Sequence, residues 1–104
     1  MATTKEIIDQ LSGRFNASAA GSMDAVFQFS IDNEHYNLAI KNGTCTIAEG
    51  EHDDPTVTLI MSSETLQGLV SGKVNGMQAF MMGKLKTQGN TMLATKLGPL
   101  FGLG

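Results

Sequence analysis

The sequence is poor in the residues that build disulfide scaffolds, stacking surfaces and membrane spans. It has one cysteine, two prolines, no tryptophan and no apolar run near the roughly 18 residues that a bilayer requires. A lone Cys45 forms no internal disulfide, which indicates a reducing compartment, and the start MATTKEIIDQ lacks the features of a secretory signal. We therefore expect a cytoplasmic chain whose 104 residues form a single domain over 1–104.

Acidic side chains are absent from the second part of the chain. Residues 1–64 hold all ten acids against three cations, a net charge of −7, whereas residues 65–104 have a net charge of +4. The four cations of that part are Lys73, Lys84, Lys86 and Lys96. Four lysines without interleaved aromatic or arginine side chains are too few for a nucleic-acid surface. They favour weak contact with anionic head groups or an anionic membrane surface.

Hydrophobic periodicity predicts alternating helices and strands rather than a repeat. The capping box Thr3-x-x-Glu6 starts a helix over about residues 4–15, and the small, polar stretch after it is expected to be a linker. Alternating patterns predict five strands, at 24–31, 36–41, 44–48, 56–61 and 84–88. The dipeptide Asn42-Gly43 predicts a hairpin turn between the second and third strands.

Helices are predicted between the fourth and fifth strands and after the fifth. Two short helices begin near Ser62 and Asn75, and a last helix follows Gly89-Asn90. Proline breaks a helix interior, so Pro99 is expected to leave Leu100 and Phe101 on a following turn or arm.

No motif indicates catalysis or a resident metal or cofactor. His35 and His52 lack partners at metal-ligand spacing, and for the acidic loop EGEHDDP a solvated loop is favoured over a weak cation site. Cys45 has no base beside it, and Gly68-x-x-x-Gly72-Lys73 is one residue short of a phosphate-binding loop. Its glycines are expected to end one helix and separate it from the next. We expect no enzyme, no metal and no cofactor.

Methionine is concentrated after the fourth strand begins, at Met61, Met77, Met81, Met82 and Met92, five of the seven in the chain. Methionine fills irregular spaces and adaptable surfaces, so both ordinary core packing and an adaptable apolar pocket are open interpretations. Adjacent Met81 and Met82 cannot both face one side of a helix, which makes the pocket a serious competitor to core packing.

The second half of the chain also resembles a known family. The segment Gly83-Lys84-Leu85-Lys86-x-x-Gly89-Asn90, with Ala79-Phe80-Met81 before it and Leu93-Ala94-x-Lys96-Leu97 after it, is similar to the signature of the sterol carrier proteins, or nonspecific lipid-transfer proteins. Upstream, Asp54-Pro55-x-Val57-x-Leu59 and Ser63-Glu64-Thr65-Leu66 extend the resemblance. It implies an α+β fold in which a five-stranded, largely antiparallel sheet is covered by helices and encloses an apolar lipid tunnel.

The resemblance further implies non-catalytic binding and transfer of fatty acids, acyl-CoA, sterols or phospholipids by a free-standing member. A broad set of apolar side chains is expected to contact the lipid: Phe27, Phe29, Leu66, Leu69, Val70, Met77, Phe80, Met81, Met82, Leu85, Leu93, Leu97, Leu100 and Phe101. The C-terminal segment from Asn90 to Phe101 is expected to close the cavity as a lid.

Two alternatives remain open at this point. The protein is an accessory module that presents a lipid or quinone precursor to a biosynthetic enzyme, or it is a structural dimer whose methionine patch is the interface. A monomer is the expectation.

Overall fold

The structure, a computed structural model, describes residues 3–102, so both ends of the predicted 1–104 domain lie outside the described residues. No helix within 3–102 is long and apolar enough to cross a membrane. The elements follow the chain as α1 (Thr4–Gly13), α2 (Ala17–Ala20), β1 (Ala25–Ile31), β2 (Glu34–Lys41), β3 (Thr44–Glu49), β4 (Val57–Met61), α3 (Ser63–Ser71), α4 (Gly76–Met81), β5 (Leu85–Gly89), α5 (Thr91–Ala94) and α6 (Leu97–Phe101).

The strands form one mixed sheet in the order β3-β2-β1-β4-β5. The pairing direction changes at β1, which pairs antiparallel with β2 on one side and parallel with β4 on the other. The outer pairs, β2 with β3 and β4 with β5, are antiparallel. The predicted α+β fold with a five-stranded, largely antiparallel sheet is therefore confirmed.

Two tight hairpin turns join the first three strands. Asn42-Gly43 links β2 to β3 with φ values of 53° and 73°, as its sequence predicts. Asp32-Asn33 makes the equivalent turn between β1 and β2, with φ values of 46° and 70°. Because this turn uses only two residues, β2 begins at Glu34, earlier than predicted.

One hydrophobic core lies between one face of the sheet and the helices. On β1 this face carries Phe27, Phe29 and Ile31, whose register partners on β4 are Val57, Leu59 and Met61. The helices cover it with apolar side chains that are almost completely buried: Ile7, Ile8 and Leu11 from α1, Leu66 and Leu69 from α3, and Leu100 and Phe101 from α6.

The opposite face of the sheet is bound to the acidic loop after β3. Two buried amides, Gln28 and Asn37, donate to the Gly50 carbonyl at 3.4 and 3.2 Å. The Gln28 carbonyl oxygen accepts from the His52 backbone N–H at 2.7 Å. These bonds satisfy buried polar groups and hold the loop against the sheet.

The segment predicted as a linker contains a short helix, so that prediction is wrong. The Asn16 side chain accepts from the backbone N–H groups of Ser18 and Ala19, at 3.0 and 3.3 Å, and caps α2. Ala20 is buried and attaches this turn to the core. This helix is stabilised by its cap and by one small buried residue. It has no apolar stripe, so hydrophobic periodicity does not predict it.

The C-terminal segment also differs from the prediction, because its two halves are separate helices and its end belongs to the core. Pro99 occupies the first turn of α6, where its missing N–H removes no helical bond. Phe101 is fully buried, with its ring centroid 6.0 Å from that of Phe15 and 6.4 Å from that of Phe27. The Leu100 carbonyl accepts from the Asn16 N–H at 2.7 Å. α6 is therefore a packed structural element, and closure of the cavity by the segment from Asn90 to Phe101 stays a prediction.

Candidate functional site

An apolar groove of about 740 Å³ lies between α4, β5 and the α5–α6 segment. Its apolar walls come from Leu69, Met77, Phe80, Met81, Met82, Leu85, Ala94 and Leu97. Its polar members are uncharged: Asn75, Gln78, Thr87, Thr91 and Thr95. The expected lipid tunnel thus takes the form of a groove that opens at the molecular surface.

The α4 helix forms the outer wall of the groove and is held at few points. Asn75 caps it by accepting from the Gln78 N–H at 2.6 Å, and only Ala79 is buried among its residues. The Ala79 carbonyl then accepts from the Lys84 N–H at 2.9 Å, after a turn through Gly83. Because so small a residue is the anchor, the large apolar side chains of α4 remain outside the core.

Those side chains are the most exposed large apolar groups of the groove. The exposed fraction is 71% for Met77, 51% for Phe80, 79% for Met81 and 60% for Met82. A core normally removes such groups from water, and exposed apolar patches mark binding surfaces. Among the two interpretations of the methionines, the structure favours an adaptable apolar pocket for these three.

β5 supplies the floor through alternation along the strand. Leu85 and Thr87 belong to the groove wall, whereas Lys86 between them points to the opposite face of the sheet. β5 then ends at Gly89, where φ is 87° and a Cβ atom would lie 2.7 Å from the Thr56 carbonyl oxygen. That close approach gives a packing reason for the glycine in the motif, because it lets β5 close against the start of β4.

The structure divides the predicted lipid contacts into two groups. The groove wall brings together Leu69, Met77, Phe80, Met81, Met82, Leu85 and Leu97. The other group lies in the core or packs partly buried against it: Phe27, Phe29, Leu66, Val70, Leu93, Leu100 and Phe101. Lipid contact by either group stays a prediction.

Sequence reasoning missed the polar and small residues of the groove. Thr87 was detectable, since it lies two residues after Leu85 on the same strand face. Ala94 belongs to the motif that resembles the family but carries no separate signal for a groove. Thr91, Thr95, Asn75 and Gln78 carry no signal that separates them from ordinary surface residues.

The residues considered as nucleophile or metal ligands, Cys45, His35 and His52, do not line the groove. Burial raises the pKa of the Cys45 thiol on β3, which disfavours the thiolate that a nucleophile requires. The His35 Nε2 lies 3.7 Å from the Glu51 Oε1, and the His52 Nδ1 accepts from the Asp54 backbone N–H at 3.0 Å. Within residues 3–102, no group of three metal-ligating side chains converges. The prediction for the two glycines is confirmed for Gly72, which ends α3 in the left-handed conformation, and is wrong for Gly68, which lies inside α3.

Comparison with known proteins agrees with this geometry. The SCP-2 sterol transfer family matches residues 5–102, nearly the whole chain. The chain belongs to this family. The SCP-2 domain is a lipid-binding module, and the family binds and transfers lipids.

Relatives of different length share the SCP-2 domain. The oleate-induced peroxisomal protein POX18 of Candida maltosa is 32% identical over 93% of this chain and 82% of that protein. The peroxisomal multifunctional enzyme A of Dictyostelium discoideum is 41% identical over 66% of this chain, which spans 16% of that enzyme's length. The chain therefore matches one small part of the longer relatives.

A solved SCP-2 structure shows the same fold. Sterol carrier protein 2 of Yarrowia lipolytica superposes with a TM-score of 0.75 at 27% identity, covering 94% of this chain and 91% of that one.

Proposed function

We propose that this protein binds an acyl-chain lipid in the groove between α4, β5 and α5–α6 and carries it unchanged. One observation supports this most strongly: the groove has a volume of about 740 Å³ and no charged side chain among its lining residues. Pockets for small-molecule ligands typically have volumes of about 300–1,000 Å³ and mostly apolar linings.

Burial of the acyl chain supplies the binding free energy. Each CH₂ group removed from water contributes about 0.8 kcal/mol, so ten methylenes contribute about 8 kcal/mol before the costs of association. Met77, Met81 and Met82 have flexible side chains that adapt to chains of different shape. The threonines Thr87, Thr91 and Thr95 offer hydroxyl groups to a polar head. Broad specificity for fatty acids and related acyl lipids follows.

The absence of catalysis is part of the proposal. Among the described residues that line the groove, none is an acid, a base or a thiol that would act on an ester or thioester. Cys45 lies on β3, at the sheet edge opposite β5. That the protein is monomeric, is free-standing and binds no nucleic acid stays a prediction from the sequence. Its cytoplasmic location also stays a prediction, because the names of the Candida maltosa and Dictyostelium discoideum relatives place those two proteins in peroxisomes.

Displacement of a fluorescent fatty acid, together with native mass spectrometry of the purified protein, tests the proposal. Ala94 is half-buried on the groove wall, so Ala94→Phe fills the groove and should weaken binding of long chains more than short ones. Ala19→Phe, at an exposed site on α2 away from the groove, is the matched control and should bind like the wild type.

Four results would count against the proposal. Equal binding by both variants would place the lipid elsewhere, and absence of saturable binding in the wild type would remove the carrier function. Turnover of acyl-CoA that disappears in Cys45→Ala or His35→Ala would make the protein an enzyme. A quinone precursor retained in place of acyl lipids would favour the accessory-module alternative.

A further inference from the structure

A second, polar pocket of about 320 Å³ lies beside the groove. Its lining comes from the start of α3, the α3–α4 connection and the residue before β5: Ser62, Glu64, Thr65, Val74 and Lys84. We propose that this pocket receives the head group of the lipid whose acyl chain lies in the groove, and that it selects a zwitterionic head with the anion nearer to the chain than the ammonium. The inference rests on the proposed function, because the groove holds the chain of the same ligand.

The pocket borders the groove at three places along the chain. At each place a residue that lines the pocket is next to one that lines the groove, either directly in sequence or one helical turn away: Val74 and Asn75, Lys84 and Leu85, and Thr65 and Leu69. Because these pairs come from different parts of the chain, the two cavities are neighbours in space. One ligand with an apolar and a polar end can therefore occupy both.

Two opposite charges line the pocket without forming an ion pair. Glu64 and Lys84 are both exposed, and among residues 3–102 neither lies within ion-pair distance of an oppositely charged group, including each other. A head group with a single negative charge would be attracted by Lys84 but repelled by Glu64. A head group that carries both signs offers a partner to each, so the pocket favours a zwitterion.

A buried hydroxyl adds a hydrogen-bond donor for the anion. Thr65 is 8% exposed, and its Oγ1 accepts from the Ser62 Oγ at 3.0 Å. The Ser62 Oγ also accepts from the Thr65 backbone N–H at 3.1 Å, so Ser62 is engaged in capping α3. Within the described part of the chain the Thr65 hydroxyl donates no hydrogen bond of its own. A phosphate oxygen held by Lys84 would supply the acceptor.

The order of the two charges along the ligand follows from their positions relative to the groove. Lys84 directly precedes Leu85 of the groove wall. Glu64 lies on α3 before Leu69 of the groove wall, about 7.5 Å away along the helix axis. A ligand that leaves the groove thus meets the lysine first and the carboxylate second. This order fits a phosphate ester followed by a primary ammonium, as in a phosphoethanolamine head.

Binding of single-chain lipids of equal chain length tests the selection of the head group. The ligands are lysophosphatidylethanolamine, lysophosphatidic acid, a sulfobetaine with its ammonium nearer to the chain, and a fatty alcohol. Each displaces a fluorescent fatty acid below its critical micelle concentration. Lysophosphatidylethanolamine should bind about threefold more tightly than lysophosphatidic acid and the sulfobetaine, the size expected of one exposed ion pair. Equal affinities for these three lipids would overturn the proposal.

Charge-removing variants test the two side chains separately. Lys84→Gln should weaken lysophosphatidylethanolamine binding by about threefold. Glu64→Gln should weaken it as well but strengthen lysophosphatidic acid binding, because the repulsion of the anion is removed. The fatty alcohol should bind both variants like the wild type. Lys86→Gln and Asp24→Asn make the same charge changes at exposed positions outside both cavities and are the matched controls. Equal effects in the controls would reflect net charge alone and overturn the pocket.

Methyl NMR shows where the head group lies. Lysophosphatidylethanolamine should shift the signals of Val74, which lines the pocket, and of Met82, which lines the groove. The fatty alcohol should shift Met82 and leave Val74 unchanged. An unchanged Val74 signal while lysophosphatidylethanolamine is bound would overturn the proposal.

Phosphoethanolamine without an acyl chain separates the pocket from the groove. Saturable shifts of Val74 with phosphoethanolamine, together with no binding of the fatty alcohol, would refute the groove as a lipid site and assign the pocket to a free zwitterion. Fatty-alcohol binding in the groove without any head-group preference would leave the proposed function standing and overturn the head-group pocket.

Discussion

Truncation of Phe101 to alanine tests whether the C-terminal helix is part of the core. The side chain is fully buried and contacts Phe15 and Phe27 through ring pairs at 6.0 and 6.4 Å. Removing a buried phenylalanine costs about 3–5 kcal/mol, and each aromatic pair contributes about 0.5–1.5 kcal/mol beyond burial. Because both pairs are lost together, we expect a loss near the upper end of the range of about 3–5 kcal/mol.

A loss of that size is a large share of the 5–15 kcal/mol by which domains are typically stable. Urea denaturation followed by circular dichroism measures it, and an unchanged slope would show that the variant unfolds from a similar native state. Met92→Ala, at a side chain that is 80% exposed, is the control and should change stability by less than about 0.5 kcal/mol. If Phe101→Ala costs under about 1 kcal/mol, α6 is loosely held and the lid interpretation is supported.

Three other predictions concern the thiol, the head group and α4. Burial raises the pKa of Cys45, so iodoacetamide should alkylate the folded chain more slowly than the urea-unfolded chain at the same pH. Since the folded pKa is the higher one, the stabilisation from the neutral thiol is full below the ordinary value of about 8.5 and is lost as pH rises through the folded pKa. Cys45→Ala should lack that loss, and equal alkylation rates would contradict the burial. For the head group, a fatty acid and its methyl ester should differ in affinity more at low salt than at high salt, because exposed lysines are screened by ions. A constant ratio would exclude steering by Lys84 and Lys96, which are next to groove-lining residues along the chain. Hydrogen exchange in α4, where only Ala79 is buried, should be faster than in β1 and should slow when lipid binds. Slow hydrogen exchange in α4 without lipid would show that this helix is rigid and would contradict the prediction.

Local signals in the sequence predict most of the elements because their causes are local. Asn42-Gly43 accepts positive φ, Thr3 and Glu6 cap each other's backbone, and alternation sets the core face of β1. The strand order was beyond the sequence, since the parallel pairing of β1 with β4 depends on contacts between segments 30 residues apart, such as Phe27 with Val57.

The groove was predictable only in part, for a similar reason. Periodicity placed Met77, Phe80 and Met81 on a helix but did not show that this helix has Ala79 as its one buried residue. It also assigned Leu100 and Phe101 to a turn or arm after the last helix, because proline was expected to break the helix rather than begin a new one. Whether a side chain is exposed depends on which helices and strands pack against it. A single sequence does not show which elements are neighbours in the folded chain.

Methyl NMR of the methionines tests lipid binding in the groove most directly. On titration with a fatty acid, the ε-methyl signals of Met77, Met81 and Met82 should shift in a saturable way and show contacts to the acyl methylenes, because all three line the groove. Met23, which packs against the core and does not line the groove, should stay unchanged. Saturable shifts confined to Met23, or no shift at the three groove methionines while lipid is bound, would contradict binding at this site.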